Sequence, residues 1–378
     1  MIKRELQKKI EERLFKGKAI ILIGARQVGK STLMQQITSE ISMDKLMLNC
    51  DNPETNTLLT TPSETELRQI IGKNKVVIID EAQQVPVIGL TLKRIIDQYP
   101  DVQLLVTGSS SLDLQDKLSE PLTGRKYIMH LYPFSTKELI EGKGLINVKG
   151  SLKHRLIYGS YPYIVEHPSS AEDDLMELSN SYLYKDLLKL EDIRRPVLLD
   201  KLLKALAFQI GNLISYNELA QLVGTDSKTV EKYIDLLEKC YVVFRLNGLS
   251  RNPRNELKKA KKIYFYDNGI RNAVIHNFAP IDLRQDTGAL WENFIIAERI
   301  KYNEYNNKNC ISYFWRSKSQ QEIDYVEEYN GVISPVEFKI SQDKATKVKI
   351  PKTFQESYAP TTFDVVTPEN YLDWLGVS

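Results

Sequence analysis

The pattern of apolar and polar positions changes character along the chain. From residue 19 to about residue 140, short apolar runs alternate with stretches of helical period. The runs AIILIG, KLMLNCD, KVVIIDEA and VQLLVTGSS are almost continuously apolar, which is typical of parallel strands covered on both faces. This alternation predicts an α/β domain with a parallel sheet.

The rest of the chain follows two further patterns. Residues from about 150 to 210 have a helical pattern, and residues 197–248 predict a compact helical unit that ends in a strand. Pro253 and the stretch RNELKKAKK predict a loop or wing. From about residue 281 the pattern predicts one helix, three strands, a second helix and a final strand.

Composition excludes several classes of protein. The 378 residues include 51 Lys and Arg against 49 Asp and Glu, so any surface for nucleic acid must be local. The N-terminus lacks the apolar core of a signal peptide, and no apolar run approaches the roughly 20 residues of a membrane span. Cys50, Cys240 and Cys310 are isolated, which disfavours disulfides and a zinc site. We therefore expect a reduced cytoplasmic protein that does not enter membranes.

A glycine-rich segment, GARQVGKS, follows the first apolar run. It satisfies G-x-x-x-x-G-K-[ST] between a strand and a helix, where backbone N–H groups can surround phosphate oxygens. Lys30 is predicted to meet the β- and γ-phosphates of ATP, and Ser31 to help hold Mg²⁺. The residues predicted to contact the nucleotide here are Gly24, Ala25, Arg26, Gln27, Val28, Gly29, Lys30, Ser31 and Thr32.

Two carboxylates end the apolar run VVIIDEAQ. They lie at the carboxyl end of a predicted parallel strand, where ligands of such sheets bind. Asp80 is predicted to associate with Mg²⁺, and Glu81 to position an attacking water or accept its proton. The adjacent pair favours hydrolysis over transfer of phosphate to a small molecule.

The next strand contributes hydroxyls and, after it, an arginine. Thr107 or Ser109 can sense the γ-phosphate, although an ordinary serine-rich turn at a strand end explains them equally well. Arg125 can stabilise transition-state charge in its own site or in a neighbouring subunit's site, or it can be a surface residue. These alternatives stay open at the level of sequence.

The segments GARQVGKST, VVIIDEAQ, LLVTGSS, GRKYIMHLYPFSTKEL and GSYPYIV together resemble a family. They are similar to the AAA+ superfamily ATPases of bacteria and archaea that end in a domain of unknown function. The resemblance runs over nearly the whole chain. It implies an ASCE-type P-loop sheet, in which the strand carrying Asp80 is not adjacent in sequence to the phosphate-loop strand.

The segment ISYNELAQLVGTDSKTVEKYIDLLEK predicts a helix-turn-helix. Ser215 and Glu218 match a capping box, Gly224 can end the first helix, and TDS begins the second. With the strands before and after Pro253, the unit resembles a winged helix, which implies DNA binding through the second helix.

Charge on this unit points to the wing more than to the helix. The second helix mixes three lysines with three acidic residues, so its charges cancel. Clustered cations, which DNA binding needs, occur in the wing-like stretch, although a charge run is commonly just a solvated loop. The helix residues are Lys228, Lys232, Lys239, Glu231, Asp235 and Glu238; the cations of the stretch are Arg251, Arg254, Lys258, Lys259, Lys261 and Lys262.

Two C-terminal strands carry a second set of chemical residues. Glu337 and Lys339 share one face of their strand. If the two strands pair as a hairpin about Asn330 and Gly331, Asp324 opposes a residue near Glu337 on the same face. Two carboxylates and a lysine are what metal-dependent phosphodiester cleavage needs. A salt-bridged sheet edge is the alternative.

The element order together with D…E-x-K resembles the PD-(D/E)xK nuclease superfamily. The matching positions are Asp324, Glu337 and Lys339, and the preceding helix offers Glu292, or less well Glu298, as a further metal ligand. The resemblance implies a metal-dependent nuclease or a degenerate binding domain of the same fold.

We therefore predict four parts: a P-loop AAA+ core at 1–145, a helical lid at 146–196, a winged-helix-like domain at 197–280 and a nuclease-like α/β domain at 281–378. The predicted function is an ATP- and Mg²⁺-dependent switch acting on DNA, with a candidate nuclease at its C-terminus. The rival is a regulatory ATPase switch whose inactive C-terminal domain binds a protein partner. The sequence leaves the oligomeric state open.

Overall fold

The computed structural model describes residues 2–109, 118, 121–189, 196–250 and 261–377. The chain forms two compact units, one of residues 1–134 with 239–241 and one of residues 135–238 with 242–378. Every helix of the described residues is too short or too polar to cross a lipid bilayer. Of the basic wing-like stretch, residues 251–260 lie outside the described residues.

The first unit is an α/β structure. Its strands are β1 Ala19–Ile23, β2 Lys45–Asn49, β3 Val76–Asp80, β4 Gln103–Gly108 and β5 Lys126–His130. Its helices are α1 Glu5–Glu11, α2 Lys30–Ser39, α3 Pro53–Thr60, α4 Glu64–Ile71 and α5 Ile88–Gln98.

The strands of this unit form one sheet in the order β2-β3-β4-β1-β5, and every pairing is parallel. The predicted parallel sheet is confirmed. β2 separates β1 from β3 in sequence, as the family resemblance implied, and in the sheet β4 lies between them. β1, β3 and β4 are buried throughout, whereas β2 lies at an edge and is partly exposed. The prediction that β2 is covered on both faces is therefore wrong.

The second unit contains the remaining elements. Its helices are α6 Thr136–Lys143, α7 Leu145–Gly150, α8 Leu152–Tyr158, α9 Pro162–Glu166, α10 Ala171–Lys189, α11 Pro196–Phe208, α12 Tyr216–Val223, α13 Ser227–Lys239, α14 Asn268–Val274, α15 Thr287–Tyr305, α16 Gln342–Ala345, α17 Lys352–Tyr358 and α18 Tyr371–Trp374. Its strands are β6 Leu213–Ile214, β7 Val243–Gly248, β8 Lys261–Phe265, β9 Ile311–Arg316, β10 Glu322–Tyr329, β11 Val332–Phe338 and β12 Asp364–Val366.

One sheet runs through this unit in the order β12-β11-β10-β9-β7-β8-β6. β7 pairs in parallel with β9, so the sheet crosses the boundary predicted at residue 280. Tyr264 from one side of that boundary and Trp291 and Phe314 from the other pack in the same hydrophobic core. Strand pairing and core packing are therefore shared across residue 280, and the predicted domain boundaries stay a prediction.

The predicted helix-turn-helix segment forms α12 and α13. The Ser215 hydroxyl accepts a hydrogen bond from the Glu218 N–H (3.4 Å) at the start of α12, and Gly224 ends that helix at φ 77°. Asp226 accepts from the Thr229 N–H (2.9 Å) and begins α13. β6 and β7 flank β8 in the sheet.

The predicted hairpin joins β10 and β11. Their antiparallel pairing reaches Tyr329 and Val332, and the two intervening residues, Asn330 and Gly331, have φ of 51° and 80°. Positive φ at both central residues is the geometry of a tight hairpin turn, which favours an Asn-Gly pair. The hairpin prediction is confirmed, and it sets the register that aligns the C-terminal carboxylates.

Candidate functional site

The glycine-rich loop leaves β1 and ends at the start of α2. Gly29 adopts φ 95°, a left-handed conformation that favours glycine, and α2 begins with Lys30. The Lys30 ammonium donates to the carbonyl oxygens of Gly24 (3.1 Å) and Ala25 (2.8 Å). The loop therefore curls around its own lysine at a helix N-terminus, the arrangement expected of a phosphate cradle.

Gly24 is required by a close backbone contact. The Leu131 N–H donates to the Ile23 carbonyl (2.7 Å), which draws the segment after β5 against the loop. A Cβ at Gly24 would lie 2.1 Å from the Leu131 carbonyl oxygen. Only glycine fits this position without displacing the backbone.

Asp80 lies at the carboxyl end of β3 beside the loop. Its carboxylate accepts hydrogen bonds from the Ser31 hydroxyl (2.9 and 3.0 Å) and from the Thr107 hydroxyl. A hydroxyl and a carboxylate oxygen next to a phosphate cradle are hard oxygen donors, which suit Mg²⁺. The residues present fit this ion, with Ser31 and Asp80 as the groups that would hold it.

Glu81 follows with an unusual backbone conformation. Its φ is 52°, and its N–H donates to the Thr107 hydroxyl (3.2 Å). Its carboxylate accepts from the Gln83 amide, which also donates to the Ser109 hydroxyl (2.9 Å). The structure thus separates the two predicted sensor residues: Thr107 supports Asp80 and Glu81, whereas Ser109 connects to Glu81 through Gln83.

Arg125 lies at the other end of the sheet from the phosphate loop. Its carbonyl accepts from the Ala19 N–H (3.0 Å), so it precedes β5 at the amino-terminal edge, about 16 Å along β1 from the loop. Its guanidinium pairs with Asp97 (2.7 Å) and is 41% exposed. The prediction that Arg125 acts in its own site is therefore wrong, because the side chain cannot span that distance. A role in a neighbouring subunit's site stays a prediction.

Arg4 is a site residue that the sequence interpretation missed. Its guanidinium is buried and donates to the carbonyl oxygens of Val28 in the loop (2.6 Å) and Tyr132 after β5 (2.6 Å). It also lies over the Phe134 ring, 4.8 Å from the centroid. Arg4 thus ties the centre of the loop to the neighbouring strand. An arginine in a charged N-terminal segment carries no local sequence signal for this contact.

The C-terminal unit brings Asp324, Glu337 and Lys339 together, as predicted from the hairpin. The Lys339 ammonium lies 2.5 Å from the Glu337 carboxylate and 3.3 Å from that of Asp324. Asp324 also accepts from the Phe338 N–H (2.9 Å). Burial, together with the nearby charge of Asp324, raises the pKa of the Glu337 carboxyl to about 7.

Glu292 lies beside this cluster but is bound to another lysine. Its carboxylate accepts from Lys262 (3.2 Å) and from the Tyr264 hydroxyl (2.5 Å), and burial raises its pKa above the usual range. Lys262 also pairs with Glu322 (2.6 Å). Burial opposes the charge of Lys262, but Glu292 and Glu322 raise its pKa above the usual range. Lys262 is therefore not the exposed cation predicted for the wing.

The C-terminal cluster does not fit a metal ion as predicted. Across residues 2–109, 118, 121–189, 196–250 and 261–377, no group of three or more His, Cys, Asp or Glu side chains is arranged to hold one. The ammonium of Lys339 lies between Asp324 and Glu337, and Lys262 engages Glu292. Glu298, the alternative ligand, pairs instead with Lys301 (2.6 Å). The predicted metal set is corrected, because lysines neutralise its carboxylates.

The acidic and basic side chains of α13 do not simply cancel one another, as the sequence predicted. Arg245 of β7 pairs with Asp235 (2.5 Å) and with Glu238, and Lys261 lies 3.9 Å from Glu231. The carboxylates of the helix are thus paired with neighbouring strands. Three exposed lysines at helical spacing form what we call the lysine stripe: Lys228, Lys232 and Lys239.

Comparison with family models covers most of the chain. Residues 16–140 match the model described as an AAA domain. The chain carries an AAA-type ATPase domain. Beyond the AAA domain, residues 149–281 and 287–375 match two models that are each described as a domain of unknown function.

Proteins similar over most of this length occur in bacteria and archaea. An uncharacterised protein of Mycobacterium tuberculosis is 26% identical over 355 residues, covering 92% of this chain and 75% of that protein. One from Methanocaldococcus jannaschii is 26% identical over 338 residues, covering 78% and 70%. A solved Walker-type ATPase of Pyrococcus abyssi has a TM-score of 0.52 at 16% identity, covering 73% of this chain and 96% of that chain, which supports the fold alone.

Proposed function

We propose that the protein binds and hydrolyses ATP with Mg²⁺ and uses the nucleotide state to change how it binds DNA. The observation that carries the proposal is the continuous hydrogen-bonded set formed by Ser31, Asp80, Thr107 and Glu81 at the end of the phosphate loop. This set combines Ser31 and Asp80, the candidate Mg²⁺ site, with the carboxylate of Glu81, the next residue in the chain.

The residues around the phosphate loop have separate tasks in this proposal. Backbone N–H groups of the loop and Lys30 bind the phosphates, and Ser31 and Asp80 would hold Mg²⁺, which would offset phosphate charge. The Glu81 carboxylate orients a water molecule in line with the γ-phosphorus and accepts its proton as the bond to the β,γ-bridging oxygen breaks. The products are ADP and inorganic phosphate.

The lysine stripe supports DNA as the partner. Its three lysines project from the second helix of a helix-turn-helix, the element that such folds place in the major groove. Because Asp235 and Glu238 are paired with Arg245, they oppose the stripe less than the sequence indicated. Clustered cations of this kind bind phosphates through release of counterions.

ATP binding is tested by Lys30→Ala. The variant loses the ammonium that the loop surrounds, so we expect no measurable binding of a fluorescent ATP analogue and no hydrolysis. The matched control is Lys73→Ala, which removes an exposed lysine 3.4 Å from Asp44 elsewhere in the same unit. Unchanged ATP binding by Lys30→Ala would contradict the first half of the proposal.

DNA binding is tested by replacing the three lysines of the stripe with alanine. Duplex affinity is measured across a salt titration, with and without ATP, and the variant is expected to reduce the salt slope by about 2 to 3. The control replaces three exposed lysines of the first unit, Lys3, Lys8 and Lys16. DNA affinity that is absent in wild-type protein in every nucleotide state would contradict the second half.

A second candidate is a regulatory ATPase whose C-terminal unit binds a protein partner. The neutralised cluster of Asp324, Glu337 and Lys339 favours it, because that cluster does not fit the metal of a nuclease. It predicts nucleotide-dependent assembly without DNA affinity. Both candidates expect no cleavage of DNA with Mg²⁺ or Mn²⁺, and cleavage that Asp324→Ala or Lys339→Ala abolishes would overturn our assignment of the cluster.

A further inference from the structure

Gln83 occupies a buried position between the two strand ends of the AAA domain. It lies in the 3₁₀ turn Ala82–Gln84 directly after β3, two residues beyond Glu81. Its Nε2 group donates both to the Glu81 carboxylate and to the Ser109 hydroxyl (2.9 Å). One amide therefore connects the proposed base to the residue that follows β4.

Glu81 is connected at two points to the segment formed by β4 and the residue after it. Its N–H is bound by Thr107, which belongs to β4, and its carboxylate is bound through Gln83 to Ser109, which follows β4. The left-handed φ of 52° costs energy for a residue with a Cβ, so these contacts have to maintain the conformation. The Gln83 amide binds the Oε2 atom of the Glu81 carboxylate.

We propose that Gln83 is a positioning residue for Glu81 and that it links the orientation of the carboxylate to Ser109. The Ser109 hydroxyl accepts the hydrogen bond from Gln83, so its own proton is available for a γ-phosphate oxygen of a bound nucleotide. Donation to the phosphate makes the hydroxyl oxygen a better acceptor and fixes the Gln83 amide, so the Glu81 carboxylate is held most firmly when a triphosphate is present. This inference rests on the proposed ATP hydrolysis and states how the bound nucleotide regulates the orientation of Glu81.

The test uses Gln83→Met in the full chain. Methionine has a similar length and volume but no amide, so both hydrogen bonds are lost while the buried position stays filled. We expect kcat for ATP hydrolysis to fall about tenfold or more, while Kd for ATP changes less than about twofold. Binding of ADP with aluminium fluoride, which mimics the transferring phosphate, is expected to weaken while binding of ADP alone does not.

The neighbouring glutamine supplies a matched control. Gln84 lies in the same turn, and its amide donates to Asp51 (3.0 Å) in a solvent-exposed contact. Gln84→Met is expected to keep wild-type kcat. If Gln83 acts through Ser109, then Ser109→Ala lowers kcat in wild-type protein but adds little in the Gln83→Met background, because the two side chains work as one unit.

The outcomes separate this inference from the proposed function. Wild-type protein that fails to hydrolyse ATP overturns both. Wild-type hydrolysis with an unchanged kcat in Gln83→Met overturns only the role of Gln83. A parallel loss of ATP affinity, ADP affinity and thermal stability also overturns it, since that pattern indicates a structural defect. Gln83→Glu, which places a second carboxylate beside Glu81, is expected to lower kcat further without loss of ADP binding.

Discussion

The two carboxylate clusters of this chain differ in what binds them. In the first unit, Asp80 accepts from the hydroxyls of Ser31 and Thr107, and Glu81 accepts from an amide. In the second unit, the carboxylates of Asp324 and Glu337 meet the ammonium of Lys339. The first set of donors is neutral and the second is cationic.

This difference decides what each cluster can do. Neutral donors orient a carboxylate and leave its charge in place, so a divalent cation gains from binding there. An ammonium cancels the charge and occupies the space, so the same acidic residues become an internal ion pair. Two sets of acidic residues at strand ends that look equivalent in sequence therefore have different chemistry, and four substitutions sharpen the contrast.

The largest effect is expected from Gly24→Ala. The added Cβ would lie 2.1 Å from the Leu131 carbonyl oxygen, so the loop has to shift relative to Leu131 and loses its position beside Asp80 and Glu81. We expect ATP hydrolysis to fall at least about a hundredfold, as misplacement by about 1 Å commonly does. Gly150→Ala is the control, because a Cβ there meets nothing within 4 Å. Wild-type hydrolysis in Gly24→Ala would show that this contact is not needed.

Lys339→Met tests the claim that lysine replaces a metal ion. It leaves the buried Glu337 and the partly buried Asp324 without their shared cation, and we expect the free energy of unfolding to fall by about 3 kcal/mol. Millimolar Mg²⁺ or Mn²⁺ is expected to raise the unfolding temperature of the variant but not that of wild-type protein. Stabilisation of wild-type protein by either ion would instead indicate a metal site.

Asp267 tests how a buried carboxylate that is bound by backbone N–H groups responds to pH. It accepts from the N–H groups of Ser160 (2.7 Å) and Gly269 (2.8 Å), and burial raises its pKa from 3.8 to about 6. Between those values the folded chain binds more protons than the unfolded chain, so the free energy of unfolding falls as the pH rises through this window. We expect a contribution of about 3 kcal/mol, measured by urea unfolding at several pH values.

The control for this prediction is Asp267→Asn, which cannot titrate. Its baseline stability is expected to be lower, because an amide N–H faces the Ser160 N–H, but the contribution to the pH dependence is lost. A variant with the same slope as wild-type protein would assign that slope to other groups.

The smallest effect is expected from Arg4→Lys. Lysine keeps the charge but cannot bind the Val28 and Tyr132 carbonyls with a planar fork, so the loop is held less firmly. We expect Kd for ATP to rise about threefold to tenfold, the effect of about one lost hydrogen bond. Arg13→Lys, which alters an arginine 4.9 Å from the Tyr127 ring in the same unit, is expected to keep wild-type affinity.

Local patterns predicted the elements of both sites well. The loop motif, the Asp80-Glu81 pair and the Asn330-Gly331 turn each depend on a few adjacent residues, and each occurs where the pattern placed it. The sequence could not give the partners of those residues. Arg4 is 24 positions from Val28 and 128 from Tyr132, and Lys262 is 30 positions from Glu292, so these contacts exist only through the packing of distant segments.

By itself, then, the sequence determined a phosphate loop, a strand that delivers two carboxylates to it, and a C-terminal hairpin that aligns Asp324 with Glu337. These follow from backbone propensity and side-chain alternation, which act over a few residues. Tertiary structure alone decided that Arg125 lies at the far end of the sheet and that β7 joins the C-terminal strands. It also decided that lysines neutralise the C-terminal carboxylates, because burial in a shared core selects a counter-charge from whichever segment packs beside it.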